Sequence, residues 1–163
     1  MNRRSLLQLG VALVLLAFAG WRVARWWQAG RVGSGQTFFY DLSEQKLFAG
    51  PRDAVPPIRG LNDDQTDAVR AVVISTNARP ADRRTWRIAY LEMYSPELKR
   101  QMEAAQAGGP SPSMGRAAAQ QHRYVRRLTE PDWHPLDTPE GERIVTEWAM
   151  PGPDGLTPVV CQP

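Results

Sequence analysis

AVRAVVIST, residues 68–76, is a nearly continuous apolar run rich in β-branched side chains, as a central β-strand requires. The run TWRIAYLEMY, residues 85–94, carries bulky apolar side chains at alternate positions, namely Trp86, Ile88 and Tyr90. The eight residues between the two runs, NARPADRR, are polar and basic. We therefore predict two antiparallel strands joined by a protruding loop.

A β-hairpin is predicted upstream of these strands, over residues 37–49 with a polar turn at 43–45. In its first strand Phe38 and Tyr40 alternate with Phe39, so these aromatic side chains are expected to fill the core on one face and to cover the sheet on the other. The stretch that follows, GPRDAVPPIRG, is predicted to be an extended connector because its proline pair disfavours a helix.

Two short helices are predicted from similar starts, Ser95-Pro96-Glu97 and Thr138-Pro139-Glu140. In each, a hydroxyl can cap the helix, a proline occupies the first turn and an acid complements the helix dipole. The helices are expected over residues 96–107 and 139–149. Further strands are predicted at residues 122–128 and 159–161. The fold class is thus α+β, with an antiparallel sheet and two short packed helices behind one N-terminal transmembrane helix.

The N-terminal segment is apolar from residue 6 to residue 20, except for one glutamine. Its continuation alternates residues that favour a membrane interface, namely Trp21, Arg22, Arg25, Trp26 and Trp27. A helix here would be long enough to cross a bilayer with its ends among the headgroups. We therefore predict a membrane anchor helix, or uncleaved signal, at residues 1–28, a flexible linker at 29–36 and the α+β domain at 37–163.

A cleaved secretory signal is the competing interpretation, because Ala17-Phe18-Ala19 matches the small-residue cleavage pattern. The stretch RRSLLQ also resembles a twin-arginine export signal, although the residues around the arginine pair depart from that pattern. The cleavage pattern lies within the apolar run and not after it, which favours retention of the segment. Because the N-terminal tail is so short, we predict a single-pass membrane protein with its domain outside the cytoplasm.

Charge is distributed unevenly along the chain. Residues 1–36 contain five of the twenty basic residues and none of the seventeen acidic ones, which leaves the rest of the chain with a net charge of −2. Nucleic-acid binding depends on clustered positive charge and is therefore not expected. The expected partners are the lipid bilayer and a protein of the membrane or the envelope.

Two groups of side chains are candidates for ligand binding. The first comprises the arginines of the loop between the two central strands, which could hold an anion: Arg79, Arg83 and Arg84. The second is the stretch Asp132, Trp133 and His134, in which the aspartate could orient the histidine beside an aromatic ring. Both groups are hypotheses that depend on how the fold arranges them.

The sequence contains no nucleophile elbow, phosphate-binding loop, dinucleotide fingerprint or zinc-protease motif. The acidic run from Asn62 to Asp67, with Asp63 and Asp64, lacks the ligand spacing of an EF-hand and predicts a solvated turn. The single cysteine, Cys161, cannot form an intramolecular disulfide or a cysteine-based zinc site. We therefore predict a protein that is not an enzyme and has no metal or cofactor.

Four stretches of the domain, FFYDLSEQKLF, GPRDAVPPI, YLEMYSPELK and DWHPLDTPEGERI, resemble an uncharacterised group of small bacterial envelope proteins. Proteins of that group have one N-terminal membrane helix, and the likeness covers most of the domain. The resemblance implies an envelope location and a single anchor, and it implies no activity.

Two functions are compatible with these features. The first is a membrane-anchored, non-catalytic interaction or accessory domain, which the anchor, the linker and the small mixed fold indicate. The second is a carbohydrate-binding or hydrolytic domain of the cell envelope, in which tryptophans would stack on sugar rings near Asp132 and His134. The tryptophans available for this are Trp86, Trp133 and Trp148.

Overall fold

The computed structural model of the chain describes residues 35–62 and 64–163, together with Gly20 and Arg22. The predicted anchor at 1–28 and nearly all of the predicted linker therefore lie outside the described residues, apart from Gly20 and Arg22, which are helical and exposed. In the described part of the chain, no helix combines the length and the apolar character needed to cross a bilayer. Residues Gly35–Pro163 form one compact unit.

This unit contains seven strands and three helices among its described residues. The strands are β1 (Gln36–Asp41), β2 (Lys46–Pro51), β3 (Ala68–Ser75), β4 (Trp86–Tyr94), β5 (Arg123–Arg126), β6 (His134–Pro135) and β7 (Val159–Val160). The helices are α1 (Pro96–Gln106), α2 (Arg116–Gln121) and α3 (Pro139–Glu147), and a single 3₁₀ turn spans Arg83–Thr85. The predicted α+β class with an antiparallel sheet is confirmed.

The strands form one sheet in the order β2-β1-β3-β4-β5-β6, and every neighbouring pair is antiparallel. The last three residues of β1 pair with the first three residues of β3, and the two strands diverge beyond that pairing. The short strand β7 pairs with the last two residues of β3, along the edge that β1 has left. The predicted hairpin and the predicted central pair correspond to β1–β2 and β3–β4.

The strand directions define two ends of the sheet. The proximal end holds Gly35, which precedes β1, and the loop that joins β3 to β4. Gln36, Val73 and Val160 line the same small cavity, of about 120 Å³, so the start of β1 lies at the same end of the sheet as the last part of β3. The distal end holds the β1–β2 turn, the start of β3 and the end of β4, since Asp41 pairs with Ala68.

The main core cluster occupies one face of the sheet. Its buried members are Phe38, Val69, Ala71, Val73, Leu91 and Cys161. Half-buried side chains pack against them, namely Tyr40, Leu42, Trp86, Ile88, Met93 and Trp133. Phe39 is fully buried as well, so the first strand buries aromatic rings on both of its faces, as the hairpin pattern predicted.

The regular alternation predicted for residues 85–94 is wrong in its second half. Val72 pairs with Tyr90 but Val73 pairs with Ile88, so Ala89 is an extra residue on the β4 side, that is, a β-bulge. The bulge exchanges the faces of the residues that follow it. Leu91 consequently joins Ile88 in the main core cluster, whereas simple alternation would have placed it on the opposite face.

Helices α1 and α3 begin where the sequence predicted. The hydroxyls of Ser95 and Thr138 accept hydrogen bonds from the amides of Leu98 and Gly141, at 3.2 and 3.1 Å. The two helices end at Gln106 and Glu147, slightly before the predicted ends.

The prediction of only two helices is corrected by α2, which follows Gly115 and contains three consecutive alanines. Alanine has the highest helix propensity, which favours a helix over residues 116–121, where no element had been predicted. Because His122 caps α2, the strand predicted at 122–128 begins one residue later and is only four residues long. Strand β6 was not predicted, and β7 is one residue shorter than predicted.

Candidate functional site

The predicted basic loop lies at the proximal end of the sheet and is held by a hydrogen-bond network. The buried hydroxyl of Ser75 donates to Asn77 Oδ1 at 2.7 Å and lies 3.0 Å from the hydroxyl of Thr85. Both Ser75 Oγ and Asn77 Oδ1 accept from the amide of Arg79, at 3.2 and 3.0 Å. The indole nitrogen of Trp86 donates to the carbonyl of Pro80 at 3.0 Å. These bonds fix the loop backbone on the end of the β3–β4 hairpin.

The arginines of this loop are exposed and have few acidic neighbours. Arg83 lies over the ring of Trp86, with 5.4 Å between its guanidinium carbon and the ring centroid. Arg84 pairs with Asp82 at 3.0 Å, and this guanidinium lowers the pKa of the Asp82 carboxyl. The side chains of Arg79 and Arg87 are exposed at the same loop and at the start of β4. The loop therefore presents four arginines with one acid among them.

The second predicted group lies between β5 and β6 and is engaged in the sheet. Trp133 packs against the main core cluster, and the guanidinium carbon of Arg126 lies 4.9 Å from the centroid of its ring. His134 belongs to β6 and pairs with Val125 of β5. Asp132 is exposed.

The structure does not bring these two groups together. Strand β5 pairs with residues Leu91–Tyr94, in the distal half of β4, whereas the basic loop precedes β4 at the proximal end. In the described part of the chain, no hydrogen bond, ion pair or ring contact joins the arginines 79, 83 and 84 to residues 132–134.

The three tryptophans considered as sugar platforms all make contacts within the domain. Trp86 packs edge-on against Phe38, with 5.4 Å between ring centroids, and Arg83 covers it. Trp133 is covered by Arg126, as described above. Trp148 is half-buried and donates from its indole nitrogen to the carbonyl of Val145 at 2.8 Å. In the described part of the chain, no ring contact joins any two of these tryptophans.

The predicted membrane-interface residues Trp21, Arg25, Trp26 and Trp27 lie outside the described residues, while Arg22 is described and exposed.

The acidic run from Asn62 to Asp67 is described except for Asp63. The side-chain Nδ2 of Asn62 donates to both carboxylate oxygens of Glu44, at 2.6 and 2.7 Å. Asp67 accepts from the amide of Ser43 at 3.0 Å, so this acidic run braces the β1–β2 turn. Among the described residues, no three His, Cys, Asp or Glu side chains are grouped as metal ligands.

A cleft of about 460 Å³ opens at the distal end, between α1 and α2 and above the β4–β5 pair. Its apolar lining comprises Leu98, Met102, Pro112, Met114 and Ala119. Its polar lining comprises Tyr94, Arg116 and Arg123. The size and the mainly apolar walls with a few polar groups are typical of binding sites for small molecules or peptide side chains.

The elements around the cleft place these side chains by simple geometry. Leu98 and Met102 are four residues apart and share one face of α1. Met114 and Ala119 pack from the other side against the second core cluster, which contains Tyr94, Leu98 and Val55. Lys99 donates to the carbonyl of Val55 at 3.0 Å and so fixes α1 to the Pro-rich connector.

A buried carboxylate lies beneath the cleft. Glu92 is only 5% exposed, and its Oε2 accepts from Nη2 of Arg123 at 3.1 Å. Its Oε1 lies 3.9 Å from Nη1 of Arg70, which also donates to Tyr94 Oη at 3.4 Å. One acid on β4 thereby joins bases on β3 and β5, and the group crosslinks the three central strands.

The buried Glu92 carboxylate raises the pKa values of its neighbours Tyr94 and Arg123. Burial, together with the Glu92 carboxylate, raises the pKa of Tyr94 to about 12, so its hydroxyl stays protonated at physiological pH. Burial would lower the pKa of Arg123, but the nearby Glu92 carboxylate outweighs this effect and the pKa of Arg123 is raised. Tyr94 and Arg123 therefore keep fixed charge states at the floor of the cleft.

The rim of the cleft carries positive charge that the domain leaves available. The Arg116 side chain makes no hydrogen bond or ion pair with another described residue. Arg123 is paired with Glu92 at the floor, so the available charge is that of Arg116. The cleft therefore suits an apolar ligand that carries an acidic group.

Sequence reasoning missed this site. Its polar residues fall on the ends of β4 and β5 and on α2, and α2 itself was not predicted. One signal was present: Arg70 and Glu92 are isolated opposite charges within two strands that were predicted to pair.

Comparisons of the chain with protein-family models, with curated proteins and with solved structures give no significant match.

Proposed function

We propose that this chain is a membrane-anchored, non-catalytic interaction domain of the cell envelope, displayed outside the cytoplasm. It binds an apolar peptide segment with an acidic side chain, which belongs to a partner protein of the membrane or envelope. The observation that carries the proposal is the distal cleft, which combines apolar walls with a cationic rim.

Charge complementarity supports an acidic ligand. Arg116 has no acidic neighbour among the described residues, and Tyr94 offers a protonated hydroxyl on the floor of the same cleft. A carboxylate seated there would gain charge-assisted hydrogen bonds from a guanidinium that is otherwise solvated. The methionines at 102 and 114 are flexible and polarisable, which lets apolar walls adapt to a peptide side chain.

The position of the cleft favours a protein ligand over a lipid chain. The cleft lies at the distal end of the sheet, whereas Gly35, where the proposed anchor segment joins the domain, lies at the proximal end. A tether of this length keeps the proximal end close to the bilayer, and the distal end is farther from the point of attachment. A segment of another envelope protein can reach this end more readily than a lipid chain of the bilayer can.

Site-specific photocrosslinking in native membranes tests the proposal. A photoreactive amino acid replaces Met114 inside the cleft, and a matched control carries it in place of Leu156, an exposed apolar residue outside the cleft. We expect the Met114 position to give one protein adduct, whose crosslinked peptide is apolar and contains an acidic residue. The substitution Arg116→Glu should abolish this adduct, because it reverses the charge on the rim.

Three results would contradict the proposal. They are an adduct with lipid, the same adduct from both positions, and an adduct that Arg116→Glu leaves unchanged. Circular dichroism of each variant shows that a lost adduct is not a consequence of unfolding. Extraction of the membranes with alkaline carbonate tests the anchor separately, since an anchored chain stays with the lipid.

A further inference from the structure

We propose that the loop between β3 and β4 is a docking surface for the phosphate groups of anionic lipids, which holds the domain upright on the bilayer. This inference rests on the membrane anchor of the proposed function. It concerns the proximal end of the sheet, and the cleft takes no part in it.

The charge of the loop is the first argument. Four arginines lie within nine residues, namely Arg79, Arg83, Arg84 and Arg87, and all four are exposed. Asp82 is the only acid in this stretch, and it pairs with Arg84. The domain as a whole is mildly acidic, so this loop is a local concentration of positive charge.

The loop is also preorganised for binding. Its backbone is fixed by the Ser75, Asn77 and Thr85 network, and its aromatic residue Trp86 is held by a hydrogen bond to Pro80. A fixed backbone does not have to be ordered when a ligand binds, which lowers the entropic cost. The exposed apolar residues of the loop are small, so the contact would be electrostatic and would lie at headgroup level.

The position of the loop selects a bilayer as the partner. Gly35 and the β3–β4 loop share the proximal end, so the chain enters the domain on the side where the arginines are displayed. The corner formed by the β1–β2 turn and the chain before β3 lies at the distal end. Among its described residues, the acids that reach the surface are Glu44, Asp64 and Asp67, against the bases Lys46 and Arg59. A negatively charged surface therefore attracts the proximal end and repels this distal corner.

Nucleic acid is the other polyanion that arginines recognise. A single loop of four arginines on an acidic domain provides few phosphate contacts, whereas a tethered loop meets lipid phosphates at a high effective concentration. The bilayer is therefore the partner that the placement favours.

Fluorescence quenching in reconstituted vesicles tests the proposal. The full chain carries Ala81→Cys in the loop or, as a control, Thr66→Cys at the distal end, and the new thiol is labelled with a fluorophore. Cys161 is buried and burial raises the pKa of its thiol, so it competes poorly for the label. The vesicles contain phosphatidylcholine with or without phosphatidylglycerol, and a spin-labelled headgroup serves as the quencher.

We expect quenching at position 81 to increase several-fold when phosphatidylglycerol is present, and quenching at position 66 to stay unchanged. The double substitution Arg83→Gln and Arg84→Gln should abolish the increase, and high salt should reduce it. Arg100→Gln with Arg143→Gln removes the same charge from exposed sites on helices and should have no such effect.

The outcomes separate this inference from the anchor. Flotation with neutral vesicles reports the anchor alone. A chain that floats with neutral vesicles but shows no added quenching in anionic ones overturns the loop proposal and leaves the anchor intact. A chain that floats only with anionic vesicles, and only with Arg83 and Arg84 present, supports the loop and rejects the anchor. A fluorescence change at position 81 with an RNA oligonucleotide, and none with anionic vesicles, assigns the loop to nucleic acid and overturns the proposal.

Discussion

Arg123 donates from Nη2 to Oε2 of Glu92 at 3.1 Å, across the β4–β5 pair and directly beneath the distal cleft. Glu92 is nearly fully buried, and the second base in reach of its carboxylate is Arg70 on β3. Buried charges are tolerated only when they are paired, so this acid restricts which strands can lie beside β4. The floor of the cleft and the register of the central strands therefore depend on the same side chain.

Replacing Glu92 tests how strongly this pairing stabilises the fold. Glu92→Gln keeps the shape of the side chain but leaves two arginines without their acid, so we expect the free energy of unfolding to fall by about 2–4 kcal/mol. Urea unfolding followed by circular dichroism measures the change. Glu103→Gln is the control, because Glu103 is exposed and its partner Lys99 keeps its hydrogen bond to Val55, so the loss should be less than about 0.5 kcal/mol. Equal losses in the two variants would show that burial adds nothing to the Glu92 pairs.

Asp41 should make the fold sensitive to acid. Its carboxylate accepts from the amides of Glu44 and Leu61, at 2.9 and 2.8 Å, and these bonds lower its pKa. A carboxyl group whose pKa is lower in the folded than in the unfolded state stabilises the fold above its ordinary pKa. That stabilisation is lost as the pH falls through the folded-state pKa. We therefore expect the unfolding free energy of the wild type to decline below about pH 4.

The substitution Asp41→Asn should remove part of this decline. The variant is expected to be less stable than the wild type at neutral pH and to have a shallower dependence on pH between about pH 5 and about pH 2. Ser43→Ala, which removes one donor at 2.9 Å from Asp41, should give an intermediate profile. Parallel wild-type and Asp41→Asn profiles would assign the acid sensitivity to other carboxylates.

Arg127 is the centre of an ion-pair network that connects β5 to α3. Its guanidinium donates to Glu130, Glu140 and Glu147 at 2.7, 3.0 and 2.7 Å, and these carboxylates raise its pKa. Arg127→Met should lower the unfolding free energy by about 1–2 kcal/mol, since several charge-assisted hydrogen bonds are lost together. Arg143→Met removes only an exposed pair with Glu140 and should have little effect. Thermal unfolding at low and high salt measures the stability difference between the wild type and Arg127→Met, which should be smaller at high salt. A stability difference that does not change with salt would argue against ionic stabilisation.

Local sequence patterns predicted most of the fold. Strands β1 to β4 follow from β-branched runs and aromatic alternation, and helices α1 and α3 follow from the caps at Ser95 and Thr138. Each of these signals lies within the element that it specifies. These elements could therefore be predicted without any knowledge of the tertiary structure.

The features that sequence did not predict depend on contacts between distant segments. The bulge at Ala89 satisfies the pairing of β4 with β3, and it alone moves Leu91 into the main core cluster. The cleft requires α1, α2 and the start of β5 to meet, and Arg116 becomes significant only there. The arginine loop was recognised from its composition, but its place at the same end of the sheet as Gly35 follows from the pairing of β1 with β3.

Gly141 provides a sharp test of how α3 packs against the chain before it. It lies in the first turn of α3, is buried, and an added Cβ would overlap the carbonyl oxygen of Pro135 and lie 3.0 Å from the Cα of Leu136. Replacing glycine by alanine in a helix normally stabilises it by up to about 1 kcal/mol. Here the backbone itself must move, so we expect Gly141→Ala to destabilise the protein by about 2 kcal/mol or more.

The matched variant is Gly115→Ala at the start of α2, where no atom lies within 4 Å of the added Cβ and φ is −61°. Its unfolding free energy should stay within about 1 kcal/mol of the wild type. Urea unfolding of both variants gives the comparison. If Gly141→Ala proved as stable as Gly115→Ala, α3 would have to be free to shift away from Pro135. The ion pairs of Arg127 with Glu140 and Glu147 would then shift with the helix, because both acids are on α3.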